Sequence, residues 1–351
     1  MSQSNSKASG WMNIWTKRGF FSVLLWPLSL LFRCIVAFRR YAYKNNWFKS
    51  SRLPVPVLIV GNVFVGGTGK TPLVIWLVET LRKAGFHPGV ISRGYGTVNN
   101  DPVLVTDHSK SDQAGDEPLL IVAKTGCPLV VCRNRVKAGL FLLAQHPEVD
   151  IVISDDGMQH YALERDIEIM LFDGRGAGNG WMLPAGPLRE PVSRCRDFTV
   201  INGMNSPAPG NPIYVDDMVL MRMITDRAEQ LSNRSHSRKL QEFQADSGVP
   251  HKMVAAAGIG NPSRFFASLR MARLQFTEMP LPDHFDFSSN PFSKLDADTI
   301  LITEKDAVKC GQIEEIRSDE RIWVVPAHVE IDNNDELKRR IVEKCRECKL
   351  A

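Results

Sequence analysis

The stretch VLIVGNVFVGGTGKTPLVIWL, residues 57–77, decides the fold. Val57 to Val60 is a short, β-branched apolar run that reads as a buried strand. Gly61 to Gly69 is a glycine-rich loop, and Thr71 to Leu81 carries apolar residues at helical spacing. Pro72 sits in the first turn, where a missing N–H costs nothing. Strand, glycine loop, then Gly69-Lys70-Thr71 opening a helix is the context of a phosphate-binding loop. Glycines let backbone N–H groups converge on phosphate oxygens, and the helix N-terminus adds partial positive charge. Lys70 is expected to reach the outer phosphates of ATP and the Thr71 hydroxyl to ligate Mg²⁺. The pattern G-x-x-x-x-G-K-[ST] asks for glycine at position 64, which is Phe64; Gly66 and Gly67 supply the flexibility instead. The competing reading is a glycine-rich turn with a chance Gly-Lys-Thr.

Downstream, short apolar runs alternate with helical stretches, which predicts a mostly parallel sheet. Val90 to Ser92 ends in Arg93, a candidate phosphate contact at the strand end that faces ligand in open α/β sheets, or simply an exposed arginine. Asp116 and Glu117 precede a helical run. They read as an N-cap with favourable dipole charge, with Pro118 at a first helical position, or as a carboxylate pair near the metal or nucleophile. Pro128 to Cys132 leads into Arg133, Asn134 and Arg135, and the two arginines could grip an anionic substrate. Ile151 to Ile153 closes on Asp155 and Asp156. Beside a phosphate loop, such a strand end can hold Mg²⁺ directly or through water. Gln159 and His160, one turn on, could orient substrate. Residues 174–191 form a long Gly/Pro-rich loop, a length that suggests function. The alternation then stops: Ile213 to Ile224 reads as short antiparallel strands, and a second α/β unit starts at Lys252. His284, in a loop of that unit, is by composition more often structural or exposed than catalytic. Its position in a second lobe that could close over the phosphate loop favours a role.

A chain of 351 residues with 44% hydrophobic and 23% charged residues is globular in composition, with room for two domains. A net charge of +4 is too mild to argue for nucleic acid. Seven scattered cysteines, at 34, 127, 132, 195, 310, 345 and 348, point to reduced thiols rather than a disulfide framework; Cys345 and Cys348 lack the second ligand pair a zinc site needs. Residues 1–10 are small and polar, and are expected to be mobile. Phe20 to Phe32 carries no charge, is flanked by Lys17, Arg18, Arg39, Arg40 and Lys44, and has aromatics around it. No small-residue cleavage site follows, so a signal peptide is not indicated. The run falls short of the ~20 residues a bilayer span needs. An interfacial helix on anionic lipid fits best, ahead of a span that buries Arg33 and of a buried core helix.

Taken together, several motifs carry a resemblance. They are Gly61-Asn62, Val65-Gly66-Gly67-Thr68-Gly69-Lys70-Thr71-Pro72, Ser92-Arg93-Gly94-Tyr95-Gly96, Gly115-Asp116-Glu117-Pro118 and Asp155-Asp156-Gly157-Met158-Gln159-His160. Further along come Pro184-Ala185-Gly186-Pro187-Leu188-Arg189-Glu190, Gly258-Ile259-Gly260-Asn261-Pro262, Asp283-His284 and Thr303-Glu304-Lys305-Asp306-Ala307-Val308-Lys309. From about residue 11 to the C-terminus the chain resembles the tetraacyldisaccharide 4′-kinases, the lipid A kinases of Gram-negative bacteria. The resemblance implies transfer of phosphate from MgATP to the 4′-hydroxyl of a tetraacylated glucosamine disaccharide 1-phosphate, at the cytoplasmic face of the inner membrane. It implies an ATP loop over Phe64, Val65, Gly66, Gly67, Thr68, Gly69, Lys70 and Thr71. Asp116 and His284 would be a catalytic pair, the aspartate assisting deprotonation of the sugar hydroxyl, with Lys70 and Asp156 at the reacting phosphate. Glu117, Asp155 and Asp156 would be metal and phosphate-organising carboxylates, and Gln159 and His160 substrate-side residues; Thr71 as a metal ligand and Arg93, Arg133 and Arg135 as substrate contacts rest on position and residue type. Phe64 and Met158 depart from residues usual in the family, a small hydroxylated one and an aromatic.

The expected architecture is α/β. A membrane-associated helical segment (1–50) precedes a P-loop NTPase-like core (51–210). A β-hairpin linker or flap (211–249) and a smaller C-terminal α/β lobe (250–351) follow, and the protein is expected to act as a monomer. The rival class is a membrane-recruited P-loop ATPase switch that binds protein partners; such proteins often carry a lysine early in the loop, where this chain has Val65. A transporter subunit is disfavoured, because one apolar segment makes no pore.

Overall fold

The computed structural model describes residues 15–94, 101–106, 108–203, 211, 213, 215, 217–243 and 252–350. The expected mobile segment 1–10, with Tyr95 and Gly96 of the resemblance, lies outside them. In chain order the elements are α1 (Phe20–Leu24), α2 (Trp26–Lys44), β1 (Val57–Gly61), α3 (Lys70–Lys83), β2 (Pro88–Ser92), β3 (Val103–Leu104), α4 (Ser111–Ala114), α5 (Asp116–Thr125), β4 (Leu129–Val131), α6 (Arg135–Gln145), β5 (Ile151–Asp155), β6 (Ile167–Asp173), β7 (Phe198–Asn202) and β8 (Val219–Ile224). Then follow β9 (Arg227–Gln230), β10 (Ser237–Lys239), β11 (Met253–Ala257), α7 (Pro262–Met271), β12 (Thr277–Pro280), β13 (Thr299–Thr303), α8 (Glu304–Cys310), α9 (Glu314–Arg317), β14 (Ile322–Val325), β15 (His328–Ile331) and α10 (Asn334–Leu350).

The chain divides into two units. One comprises 1–108, 121–222 and 330–351; the other comprises 109–120 and 223–329. The division follows contacts rather than the sequential borders expected at 50, 210 and 249. Residues 109–120 are drawn from the middle of the chain into the second unit, and α10 belongs to the first, where Lys344 pairs with Asp197 and Lys349 with Asp150.

The sheet of the first unit has the order β15-β8-β7-β6-β1-β5-β2-β4-β3. From β8 to β4 every pairing is parallel, and β3 is antiparallel to β4. The strands β1, β2, β5 and β7 are buried along their whole length, which is why they read as unbroken apolar runs. β1 lies between β5 and β6, so the chain leaves it in two directions and the C-terminal ends there open a crevice. The expectation of antiparallel strands over Ile213 to Ile224 fails: β8 extends the parallel sheet beside β7, with Val200 opposite Val219. Alternation identifies a strand but not its direction, which a tertiary partner sets.

In the second unit the sheet order is β10-β9-β14-β13-β11-β12. Its inner strands β11 to β14 are parallel, and the hairpin β9–β10 joins antiparallel to β14. The hairpin expected as a linker is thus an edge of this sheet. Two apolar clusters fill the unit, one around Phe265, Phe266 and Trp323, the other around Phe287, Phe292 and Ile300.

The N-terminal helix α2 has two apolar faces. On one, Phe32 and Val36 pack on the core of the first unit, and the buried Ser29 hydroxyl donates to Met182 O at 2.8 Å. Tyr43 stacks on Tyr161, with the Arg39 guanidinium over the Tyr161 ring. On the other, Leu24 at the end of α1 and Leu28, Leu31, Ile35 and Phe38 stand exposed at helical spacing, with Phe20 and Phe21 ahead of them. No helix among the described residues is long and apolar enough to cross a membrane.

Candidate active site

The phosphate loop is fixed through its carbonyls. Gly66 O accepts from Asn62 Nδ2 at 3.2 Å, Gly67 O from Arg175 at 2.6 Å and Thr68 O from Asn202 Nδ2 at 2.8 Å. In a planar trans peptide the N–H of the next residue points opposite to the carbonyl. Holding these three carbonyls therefore fixes the orientation of the amides of Gly67, Thr68 and Gly69, each directed away from its own tether. Gly69 closes the loop at φ +94°, where a Cβ would also strike Asn202, so glycine is required there. Phe64 contributes only backbone to the loop: its ring is buried under the Arg175 guanidinium, 4.4 Å from the ring centroid, and Val65 N–H donates to Pro187 O. The long loop 174–191 thus does two jobs, supplying Arg175 and Arg189 to the loop and the carbonyl that seats α2.

Lys70, the first residue of α3, lies 3.5 Å from Asp156, just past the end of β5. Asp156 is held at φ +49°, a left-handed conformation rare for a non-glycine residue, and pairs also with Arg189 at 3.2 Å. Burial alone would raise its carboxyl; the charges of Lys70, Arg189 and Arg135 outweigh burial and pull it down to about 2. Neighbouring Asp155 accepts from the Ser92 hydroxyl at 3.3 Å. Arg135 is 3% exposed and donates to Cys132 O and Asp155 O. Its expected role as a substrate grip gives way to one of holding the β5 strand end, because its hydrogen bonds go to backbone. Burial lowers its guanidinium to about 10, against the opposing charges of Asp155 and Asp156.

Three buried nitrogens, Nε of Arg135, Nε of Arg189 and Nε2 of His160, have no hydrogen-bond partner among the described residues. Such atoms are uncommon in folded proteins, and two of the three belong to the arginines that hold the Asp155–Asp156 strand end, which marks a place for a polar ligand. With the loop amides and Lys70, this surrounding suits a nucleoside triphosphate, and Thr71 and Asp155 offer oxygens of the kind Mg²⁺ takes. Among the described residues no group of three His, Cys, Asp or Glu side chains could hold a metal. Mg²⁺ commonly takes one or two protein oxygens with phosphates and water for the rest.

His160 carries a pH prediction. Burial first, then the charges of Arg135, Arg165, Arg39 and Arg93, lower its pKa from 6.5 to about 4. Between these values the unfolded chain binds a proton that the folded chain does not, so stability is flat above pH 6.5 and falls as pH drops toward 4. The loss should reach about 2 kcal/mol after allowance for partial exposure, and the slope should flatten in His160→Asn. Equal slopes of denaturation midpoint against pH in the two proteins would refute this.

In the second unit, α5 begins on Asp116 itself, after Gly115 at φ +86°. Asp116 is therefore not the expected cap; its carboxylate turns into the unit and is saturated there. Oδ1 accepts from the Ser111 hydroxyl. Oδ2 lies 2.9 Å from His284 Nδ1 and 2.9 Å from Lys309 Nζ. Burial would raise this carboxyl; the hydrogen bonds from His284, Ser111 and Lys309, with the charge of Lys309, hold it well below the usual carboxylate range. An ionised carboxylate only accepts, so the His284 proton that faces Asp116 sits on Nδ1. His284 is held at φ +59°, its N–H donating to Gly258 O at 3.1 Å.

Of the remaining expected residues, Arg93 and Arg133 are exposed at the C-terminal ends of β2 and β4, and Gln159 Nε2 lies 3.4 Å from Asn62 O. Glu117 is partly buried in the first turn of α5, in the second unit, whereas Thr71 and Asp155 belong to the first. Asn62, Arg175, Arg189, Asn202, Ser111 and Lys309 were not read as site residues, although Asn62, Arg189 and Lys309 lie within the motifs that carry the resemblance.

Residues 21–346 match the family described as LpxK, tetraacyldisaccharide-1-P 4′-kinase. The chain belongs to this family. It is 56% identical over 338 residues to the tetraacyldisaccharide 4′-kinase of Janthinobacterium sp. (strain Marseille), covering 96% of each chain. It is 55% identical over 345 residues to that of Herminiimonas arsenicoxydans, covering 96% of this chain and 95% of that one. Among solved structures, LpxK from Aquifex aeolicus in complex with ATP is similar with a TM-score of 0.76 at 27% identity, covering 93% of this chain and 99% of that one. None of these similarities supports the nucleotide-switch reading.

Proposed function

We propose that this member of the family transfers the γ-phosphate of ATP to the 4′-hydroxyl of a tetraacylated glucosamine disaccharide 1-phosphate, producing the 1,4′-bisphosphate on the route to lipid A. The observation that carries the reading is the loop whose carbonyls are tied back by Asn62, Arg175 and Asn202, with Lys70 set on Asp156 beside it. Phosphoryl transfer asks little covalent help and much positioning and charge neutralisation. The loop amides and Lys70 hold the β- and γ-phosphates. The Thr71 hydroxyl and Asp155 would hold Mg²⁺, which would supply further positive charge at those phosphates. Glu117 is a further metal or phosphate-organising carboxylate. Asp156 keeps Lys70 and Arg189 in place, and Arg93, Arg133, Gln159 and His160 face the phosphorylated sugar. The Asp116–His284 pair takes the proton of the attacking hydroxyl: Asp116 fixes the ring, and Nε2 accepts. The experiment is transfer of label from [γ-³²P]ATP to the disaccharide 1-phosphate in detergent with Mg²⁺. Labelled lipid is expected; free labelled phosphate without labelled lipid would sink the proposal.

The exposed apolar face of α1 and α2 suits the surface where such a lipid resides, and we place the protein at the cytoplasmic face of the inner membrane. Deleting the segment would also remove Ser29, Phe32 and Val36 from the core, so substitution on the outer face is the cleaner probe. The triple variant Leu28→Glu, Leu31→Glu, Ile35→Glu should melt as the wild type does and lose at least about 90% of its sedimentation with anionic phospholipid vesicles, since each site forfeits apolar burial and gains a repelled charge. Undiminished sedimentation would move the anchor elsewhere.

A further inference from the structure

The short helix α8 presents Lys305 and Lys309, one turn apart, to the two ends of the Asp116–His284 pair. Lys309, 7% exposed, lies 2.9 Å from Asp116 Oδ2 and donates to Phe285 O at 2.8 Å. One ammonium group therefore ties together the two chain segments that carry the pair: the start of α5, and the loop in which Phe285 follows His284. Lys305 lies 3.6 Å from Asp283, whose carboxylate is 3.9 Å from His284 Nε2. Between the lysines, Asp306 accepts from the Thr303 hydroxyl at 2.6 Å and from Gly258 N–H at 3.0 Å, and Gly258 O in turn accepts from His284 N–H. α8 thus reaches the histidine loop at three points and the aspartate at one.

We propose that Lys309 is a positioning residue of the phosphoryl-transfer reaction: it fixes the separation and orientation of Asp116 and His284, and does so through Asp116. The proposal rests on the kinase reading given above. Two donors converge on Asp116 Oδ2, the imidazole and the ammonium, while Ser111 takes Oδ1, so the carboxylate cannot rotate without breaking a charge-assisted bond. Removing the ammonium frees that rotation and unpins the Phe285 carbonyl, so the ring loses its orientation on both sides. The loop that grips nucleotide belongs to the other unit and shares no residue with this arrangement.

The test uses the full chain in detergent micelles, with ATP, Mg²⁺ and the disaccharide 1-phosphate. Lys309→Met should lower kcat by about 30- to 100-fold, within the range of a misplaced catalytic group, and leave both KM values within about twofold. Lys309→Arg, which can still span carboxylate and carbonyl, should recover most of the loss. In the background of Asp116→Asn the Lys309→Met change should cost nothing further, because residues acting through one another are not additive. Lys309→Met with wild-type kcat overturns the proposal. So does an arginine variant as slow as the methionine one, or an additive double variant; either marks a lysine that only supports the fold. A wild-type chain that labels no lipid sinks the kinase reading and this proposal with it, an outcome distinct from active wild type and active Lys309→Met.

Discussion

Asp116→Asn is expected to lower kcat for lipid phosphorylation by about 10³- to 10⁴-fold, the scale of losing a properly oriented general base. The side chain keeps its shape but loses its charge and gains an N–H₂ group. An amide nitrogen facing His284 Nδ1 favours the ring tautomer with its proton on Nε2, the atom assigned to accept from the sugar. The same change deprives Lys309 of its counter-charge, so some stability goes as well. Nucleotide affinity should stay within about twofold, since no loop residue is altered. Transfer measured at saturating ATP and lipid separates these effects. Activity within about tenfold of wild type would remove Asp116 from the role of orienting the His284 base and leave it a structural carboxylate.

The second large effect is at Lys70. Lys70→Met should cost about 10²- to 10³-fold in kcat, the usual loss on deleting one group that stabilises charge developing in the transition state. Methionine fills similar volume at a side chain only 12% exposed, so the fold should hold. Asp156 keeps Arg189 as a partner, and its carboxyl should move up from about 2 as the first of its cationic neighbours disappears. A single-turnover measurement with radiolabelled ATP checks the rate, and unchanged transfer would show that the loop amides and metal suffice without the ammonium group.

Much of this was readable in residues 57–77, because strand, loop and helix signals there are local: β-branched run, glycines, then apolar residues at helical spacing. The strand closing on Asp155 and Asp156 was readable for the same reason. What escaped depends on contacts between residues far apart in the chain. Asn202 reaches Thr68 across 134 positions, and Arg175 reaches Gly67 across 108. Neither carries a local mark, since an asparagine ending a strand and an arginine in a glycine-rich loop are ordinary. Arg135 reads as a substrate grip beside Arg133, yet it opens α6 turned inward, with its donors on Cys132 O and Asp155 O. Asp116 and Glu117 read only as residues before a helical run, with no mark that residues 109–120 leave the first unit. Their membership of the second unit follows from the bonds of Ser111 and Asp116 to residues more than 160 positions later or within their own turn. The resemblance supplied the Asp116–His284 pairing that composition left open.

The tying back of three loop carbonyls has a thermodynamic consequence. Ordering a residue's backbone costs about 1–2 kcal/mol, and here the cost for the glycines at 66, 67 and 69 falls on folding rather than on nucleotide binding. ATP then meets a cradle already in shape, and affinity is not spent on freezing it. Asn202, which need not touch the nucleotide, becomes a determinant of its binding entropy: loosening that side chain returns the ordering cost to the binding step, and calorimetry would register it as a less favourable entropy with little change in contacts.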